Sequence, residues 1–182
     1  SAVELLSSKD QIAVVAFDGE TFVISEMQSA ASKGQISEQI AGIQHGGGTE
    51  MFPAMKRAFE MLNNTTARLK HVIMLTDGIS NSGDFEGLAQ QMASAKMTLS
   101  TVAVGGEGET DTQVLQSIAR IGKGRFYATE DPSQVPQIFA KETITASKSA
   151  IDEQPFAPQV LRATQALAEP ARRRLAGCGG SN

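Results

Sequence analysis

This sequence predicts an α/β fold: a mostly parallel sheet covered by helices on both faces, with one antiparallel pair at its edge. Three observations carry the prediction. Apolar, β-branched runs at Gln11 to Phe17, His71 to Gly78 and Met97 to Val104 have the composition of buried strands. Stretches with apolar residues at helical spacing alternate with them, which requires crossover connections. Finally, Asp18-Gly19 between QIAVVAF and TFVIS is a tight-turn signal, so these first two runs form an antiparallel hairpin.

Taken in order, Ala2, Val3, Leu5 and Leu6 resemble the last turns of a helix, too short to stand alone. The hairpin strands Gln11 to Phe17 and Thr21 to Ser25 follow. Ser32 is placed to cap a short helix carrying Ile36, Ile40 and Ile43 at i, i+4 and i+7. The glycine run Gly46 to Gly48 ends that pattern, and Thr49 lies just before a helix with Pro53 in its first turn and Met55, Phe59 and Leu62 on its buried stripe. HVIMLTDG stops abruptly at an acid and a glycine, so it is expected to be a fully buried parallel strand delivering Asp77 to the rim of the sheet. Phe85, Leu88, Ala89 and Met92 mark the next helix, and Met97 to Val104 the next strand. Thr110 and Gln113 have capping-box spacing ahead of Val114, Leu115, Ile118 and Ile121, and Gly122 to Gly124 end that helix. RFYA, Arg125 to Ala128, is the last strand, followed by a helix from about Ser133 with Val135, Ile138 and Phe139. One domain over 1–145 results, with 146–182 a weakly structured linker or the opening of a further domain; Gln159 to Ala163 is a candidate short strand within it.

Composition narrows the function. With 182 residues and 41% apolar content the chain can bury one substantial core, and with 5% aromatic residues and no Trp that core must be aliphatic. A formal charge of −4 gives no basic footprint for nucleic acid, so no nucleic-acid partner is expected. No window approaches the ~20 apolar residues of a membrane span, and as it stands the chain is expected to be soluble. Cys178 sits alone in a Gly-Ser-rich tail without the rigid setting of a catalytic thiol. Arg172 to Arg174 and Lys141 to Lys148 are too sparse for a membrane patch and are expected to be solvated faces. Met55, Met61, Met92 and Met97 are core filler. Gly105 to Glu109 lacks the Lys-Ser/Thr ending of a phosphate loop, and its acids would repel phosphate.

What remains is Thr49 and Asp77, a hydroxyl and a carboxylate at one end of an open α/β sheet, the chemistry of an oxygen-ligand cation site. Each has an ordinary structural reading beside it, Thr49 as a helix N-cap and Asp77 as a loop acid. Ser80 and Ser82 are turn formers, Asp84 and Glu86 are first-turn acids, His45 is a loop residue, and His71 begins its strand at the far end, away from any rim chemistry.

The segments IAVVAFD, GGGTEMFPAMKRAFEML, HVIMLTDGISNSG and LSTVAVGGEGETDTQVLQSIARIGKGRFYATED, in this order and spacing, resemble a bacterial von Willebrand factor type A (VWA) domain over residues 1 to 142. The resemblance implies a doubly wound sheet with one antiparallel edge strand and a metal-ion-dependent adhesion site, usually holding magnesium, with manganese and calcium as alternatives. In that family the site draws on a D-x-S-x-S loop after the first strand, a threonine and an aspartate. Thr49 matches the second element and Asp77 the third, while D-x-S-x-S occurs nowhere in this sequence. The resemblance therefore implies that the chain lacks the first central strand and begins inside the helix after it. Two donors alone are expected to leave the site impaired or empty. The exposed strand edges are expected to favour homodimerisation, strand swapping or insertion of the tail. The family's partner is a protein that completes the ion shell with a carboxylate. AIDEQPFAPQVLRAT after the domain is similar to large bacterial membrane-associated proteins related to aerotolerance operons. A non-enzymatic interaction module is thus expected. The alternatives are a metal-assisted hydrolase or phosphoryl-transfer enzyme using Asp77, which lacks a paired acid or His at suitable spacing, and a scaffold with a degenerate site.

Overall fold

A computed structural model describes residues 2–43, 48–77, 83–105 and 112–152. It opens with a 3-10 turn, Ala2–Leu5, in place of the expected α-helical end. Four residues are too few to sustain an α-helix, and the tighter 3-10 pattern still buries Val3. Strands β1 (Gln11–Phe17) and β2 (Thr21–Ser29) pair antiparallel around the Asp18 turn, where the Asp18 carboxylate accepts from the Glu20 amide at 2.8 Å. β2 runs past the expected end at Ser25, because Gln11 and Ile12 of β1 find their partners only at Ser29 and Gln28.

Helix α1 (Lys33–Ala41) buries Ile36 but not the rest of its expected stripe. Ile43 falls beyond the Gly42 cap and is exposed, and Ser32 makes no side-chain cap; Ser29 instead caps the 3-10 turn Ala30–Ser32. The remaining elements alternate: α2 (Met51–Asn63), β3 (Lys70–Thr76), α3 (Phe85–Ser94), β4 (Met97–Val104), α4 (Thr112–Ile121), β5 (Lys123–Thr129), a 3-10 turn Pro132–Gln134 and α5 (Val135–Asp152). α5 thus continues past residue 146, where weak structure was expected. Asp84 is the N-cap of α3, accepting from the Gly87 amide at 2.9 Å, while Glu86 lies in the first turn. Thr110, Gln159 to Ala163 and Cys178 lie outside the described residues.

β3, β4 and β5 form one parallel sheet in that order, and β1 and β2 form a separate antiparallel pair. Among the described residues no strand pairs with the second edge of β1 or of β3. The fold is doubly wound, and among the described residues no strand lies between β1 and β3. This corrects the expectation for HVIMLT: most of β3 is only half-buried and Leu75 is exposed, although its composition is that of an interior strand. β4 shows the contrast, since neighbours on both sides leave Leu99, Ser100, Thr101 and Val102 with no accessible surface.

Side chains alternate along β4, so its residues serve two faces. Met97, Leu99 and Ala103 join Met51 and Met55 of α2, Phe85, Leu88 and Met92 of α3, and Leu115 and Ile118 of α4 in the main core. Burial of each such side chain stabilises the fold by roughly 1.5–3 kcal/mol. Met55, Met61, Met92 and Met97 are all buried, as expected of filler. Ser100 points to the opposite face, towards α5.

β4 and β5 pair irregularly between Leu99 and Thr101, opposite Lys123 and Phe126. Gly124 sits in this bulge, where a Cβ would collide with the Leu99 carbonyl oxygen. Gly124→Ala is therefore expected to destabilise the domain by at least about 2 kcal/mol, read as a lower urea midpoint. An unchanged midpoint would contradict this close approach.

Candidate functional site

The carboxyl ends of the parallel strands and the N-terminus of α2 share one rim. The Glu50 amide donates to the Asp18 carbonyl at 2.7 Å, fastening the start of α2 to the end of β1. Gly48, at φ +106°, lies so close to Gly19 that a Cβ would stand 3.0 Å from its amide nitrogen. Only glycine suits that conformation and spacing. Thr49 follows, half-buried, one residue outside the packed first turn.

Asp77 is exposed immediately after Thr76, the last residue of β3, which pairs with Ala103. Six positions on, Gly83 at φ +133° packs against the Phe52 ring, where any side chain would collide. Phe52 in turn meets Phe85 edge-on, with ring centroids 5.4 Å apart. The chain leaving Asp77 thus returns to the first turn of α2, three positions after Thr49. His45, Ser80, Ser82 and Gly106 to Glu109 lie outside the described residues. Hydroxyl and carboxylate oxygens are hard donors suited to magnesium, manganese or calcium. They are two donors, and among the described residues no group of three or more His, Cys, Asp or Glu is gathered for a metal.

The most highly charged interior is elsewhere. Glu142 of α5 has no accessible surface, and its carboxylate touches all three parallel strands. Oε1 accepts from the Ser100 hydroxyl of β4 at 2.6 Å and from Arg125 Nη1 of β5 at 3.0 Å; Oε2 accepts from the Tyr127 hydroxyl at 2.6 Å. His71 Nε2 of β3 lies 3.2 Å from Oε1, close enough for an ion-pair contact but not aligned for a hydrogen bond. Its Nδ1 is 2.6 Å from the Thr98 hydroxyl. The bulge at Gly124 serves this cluster, because the Arg125 amide donates to Ser100 Oγ at 2.9 Å.

Burial pushes the Glu142 carboxyl up, but contacts with His71, Ser100 and Tyr127 outweigh it and hold the group at about 2. Burial, with the hydrogen bond to Glu142 and its charge, pushes the Tyr127 phenol up to about 12. Tyr127 therefore remains a donor.

Sequence reasoning missed this cluster. It set His71 aside for being at the far end of its strand and read Lys141 to Lys148 as a solvated face. The usable signal was spacing: Glu142 lies four positions after Ile138 and four before Ala146, on the inward stripe of α5. Lys141 and Lys148 are indeed exposed, and Lys141 Nζ stands 5.8 Å from the Tyr127 ring centroid.

Comparison with known proteins yields one family. The profile of the von Willebrand factor type A domain matches residues 1–141. The uncharacterized protein sll0103 of Synechocystis is 27% identical over 141 residues, covering 75% of this chain and 33% of that protein. A von Willebrand factor type A structure from Catenulispora acidiphila has a TM-score of 0.70 at 24% identity, covering 80% of this chain and 35% of that one. Proximal thread matrix protein 1 from the mussel byssus, in a structure with a zinc-occupied MIDAS motif, gives 0.65 at 20%, covering 80% and 38%. An aerotolerance-related membrane protein from Bacteroides fragilis gives 0.63 at 17%, covering 79% and 83%. The chain spans about a third of the length of the curated relatives it matches. At these identities the structural likenesses establish the fold.

The Glu142 carboxyl, held below its ordinary 4.5, contributes to the stability of the folded state at neutral pH. That contribution is complete above the unfolded value and is lost as pH falls from about 4.5 towards about 2. Urea midpoints measured from pH 7 to pH 3 should therefore fall more steeply for the native chain than for Glu142→Gln. Parallel profiles would refute this assignment of the acid sensitivity.

Proposed function

Because the chain belongs to the von Willebrand factor type A family, we propose that it is a protein-interaction module whose rim shares a divalent cation with a carboxylate of its protein partner. The observation that carries this reading is the packing of Gly83 on Phe52, which brings the loop after Asp77 back to the helix turn that follows Thr49. In this reading the Thr49 hydroxyl is a direct ligand, and Asp77 binds directly or through a water. The ion, magnesium or alternatively manganese or calcium, supplies a positive centre that accepts oxygen donors from both proteins. The zinc-occupied motif of the mussel protein supports the family-level chemistry.

Thr49 and Asp77 alone would leave an ion largely hydrated, so we take the rim of this chain to be an impaired form of the site. The second edges of β1 and β3, which pair with no strand among the described residues, support the same view. A strand between them would complete the sheet, and the loop beyond it would bring the serine hydroxyls and carboxylate of a D-x-S-x-S segment to the rim. Without that strand, homodimerisation or strand swapping is the expected way to cover the edges. The domain is read as non-enzymatic, in keeping with the interaction role general to its family. Likeness to the Bacteroides membrane protein supports a membrane-associated bacterial parent. No helix among the described residues is long and apolar enough to cross a membrane.

Calorimetric titration with Mn2+ tests the reading. The 182-residue chain should bind weakly. A version extended ahead of Ser1 by an apolar strand and a D-x-S-x-S loop should bind at least about tenfold more tightly. Asp77→Ala or Thr49→Ala in the extended version should return binding to the weak level. Undiminished Mn2+ affinity in the extended Asp77→Ala protein would sink the proposal.

A further inference from the structure

We propose that the amino ends of the parallel strands form a basic face that seats the domain on an anionic phospholipid surface, with the rim that carries Thr49 and Asp77 pointing away from it. A lysine stands at the entry to each of the three strands. Lys70 is the first residue of β3, Lys96 immediately precedes β4, and Lys123 is the first residue of β5. Lys70 pairs with Met97 and Lys123 with Leu99, so the three stand on neighbouring strands about 4.8 Å apart. Arg68, shortly before β3, and Arg120, in the last turn of α4, flank them. Lys70 is half-buried and the other four are exposed, and among the described residues none of the five is ion-paired. No stretch of sequence gathers these charges; the sheet does.

Backbone conformation singles out two of these lysines. Lys96 at φ 58° and Lys123 at φ 55° are the only non-glycine residues in the left-handed region among the described residues. Each follows a helix, at the place where glycine relieves the crowding of Cβ. A lysine serving the helix dipole alone would do so inside the last turn without that crowding, yet α3 has no basic residue there. Both crossovers thus carry their charge at a conformational cost, and such local strain concentrates at working surfaces. The opposite end of the sheet has the opposite sign: Glu50, Asp77, Asp84, Glu86, Glu130 and Asp131, beside the carboxyl ends of the strands, are all exposed. On the hairpin side of the amino end the signs are mixed. Lys33 Nζ donates to the Glu4 carbonyl, Asp10 beside Lys9 accepts from the Ser7 amide at 2.7 Å, and Glu60 of α2 is paired with Arg57. The positive face therefore belongs to the parallel strands. With an overall charge of −4 and an acidic far rim, the chain meets an anionic surface favourably only through this end, which fixes its orientation. The charges are spread over three crossovers instead of converging in a groove, which suits a layer of mobile anionic headgroups better than one fixed acidic peptide.

Co-sedimentation of the 182-residue chain with vesicles of phosphatidylcholine, alone or with about 30% phosphatidylserine, tests the proposal without recourse to any metal. At about 0.05 M salt, binding to the phosphatidylserine vesicles should exceed binding to phosphatidylcholine at least about tenfold, and it should be lost at about 0.5 M. Lys96→Gly combined with Lys123→Gly removes two charges and relieves both backbones. This pair should weaken vesicle binding at least about tenfold while the urea midpoint stays equal or rises. Lys56→Gln combined with Lys141→Gln removes the same charge from exposed positions elsewhere and should change binding by less than about twofold. Vesicle binding at the native level in the glycine pair, or an equal loss in both pairs, would overturn the proposal. So would a lowered urea midpoint in the glycine pair, which would make the two lysines structural caps, or binding to soluble polyglutamate with no gain from phosphatidylserine, which would give the face to an acidic protein.

Discussion

The pairing of β4 with a parallel neighbour on each side is the constraint on which the rest of the structure depends. It closes both edges of Met97–Val104, so each residue of that strand can commit its side chain wholly to one helical layer or the other. Leu99 and Ala103 join α2, α3 and α4 in the apolar core. Thr101 on the same face remains satisfied because its hydroxyl donates to the Leu115 carbonyl at 2.9 Å. Ser100 turns away to the second face.

The two faces are held by different physics. One is an aliphatic and methionine-rich core that gains from area removed from water. The other is organised by a carboxylate whose enclosure is unfavourable until several donors converge on it. The Gly124 bulge links them: it allows β5 to approach the Leu99 backbone while the Arg125 amide reaches Ser100, and the Arg125 side chain reaches Glu142. A small backbone irregularity thus serves both packing and charge.

On the functional side, the open edges and the rim belong to one problem. β1 and β3 have apolar interior-type sequences, yet each is hydrogen-bonded to only one strand among the described residues. The end of β1 meets the start of α2 through Asp18 with Glu50, and Gly83, just ahead of α3, packs on Phe52 in the same helix turn. A polypeptide strand seated between β1 and β3 would bring its own terminal loop to the rim that carries Thr49 and Asp77, the donors proposed for the ion. Completion of the sheet and completion of the proposed ion shell are therefore coupled by geometry.

The sequence by itself determined the element order, the boundaries of β1 and β4, the stripes of α2, α3 and α4, and the family, because local periodicity, turn residues and motif spacing are written along the chain. It also singled out Thr49 and Asp77 as the donors proposed for the rim, since a glycine run before a helix and an acid at a strand end are local signals. The half-burial of β3 was hidden: His71 to Thr76 carries the composition of an interior strand, and composition does not count a strand's neighbours. Ile43 was misread for a similar reason, because helical spacing does not say where α1 stops. Only the tertiary structure decided that Glu142 is an interior acid. Its contacts come from three separate strands, with donors on β4 and β5 and His71 of β3 beside them, and no local pattern records that their side chains meet at one point.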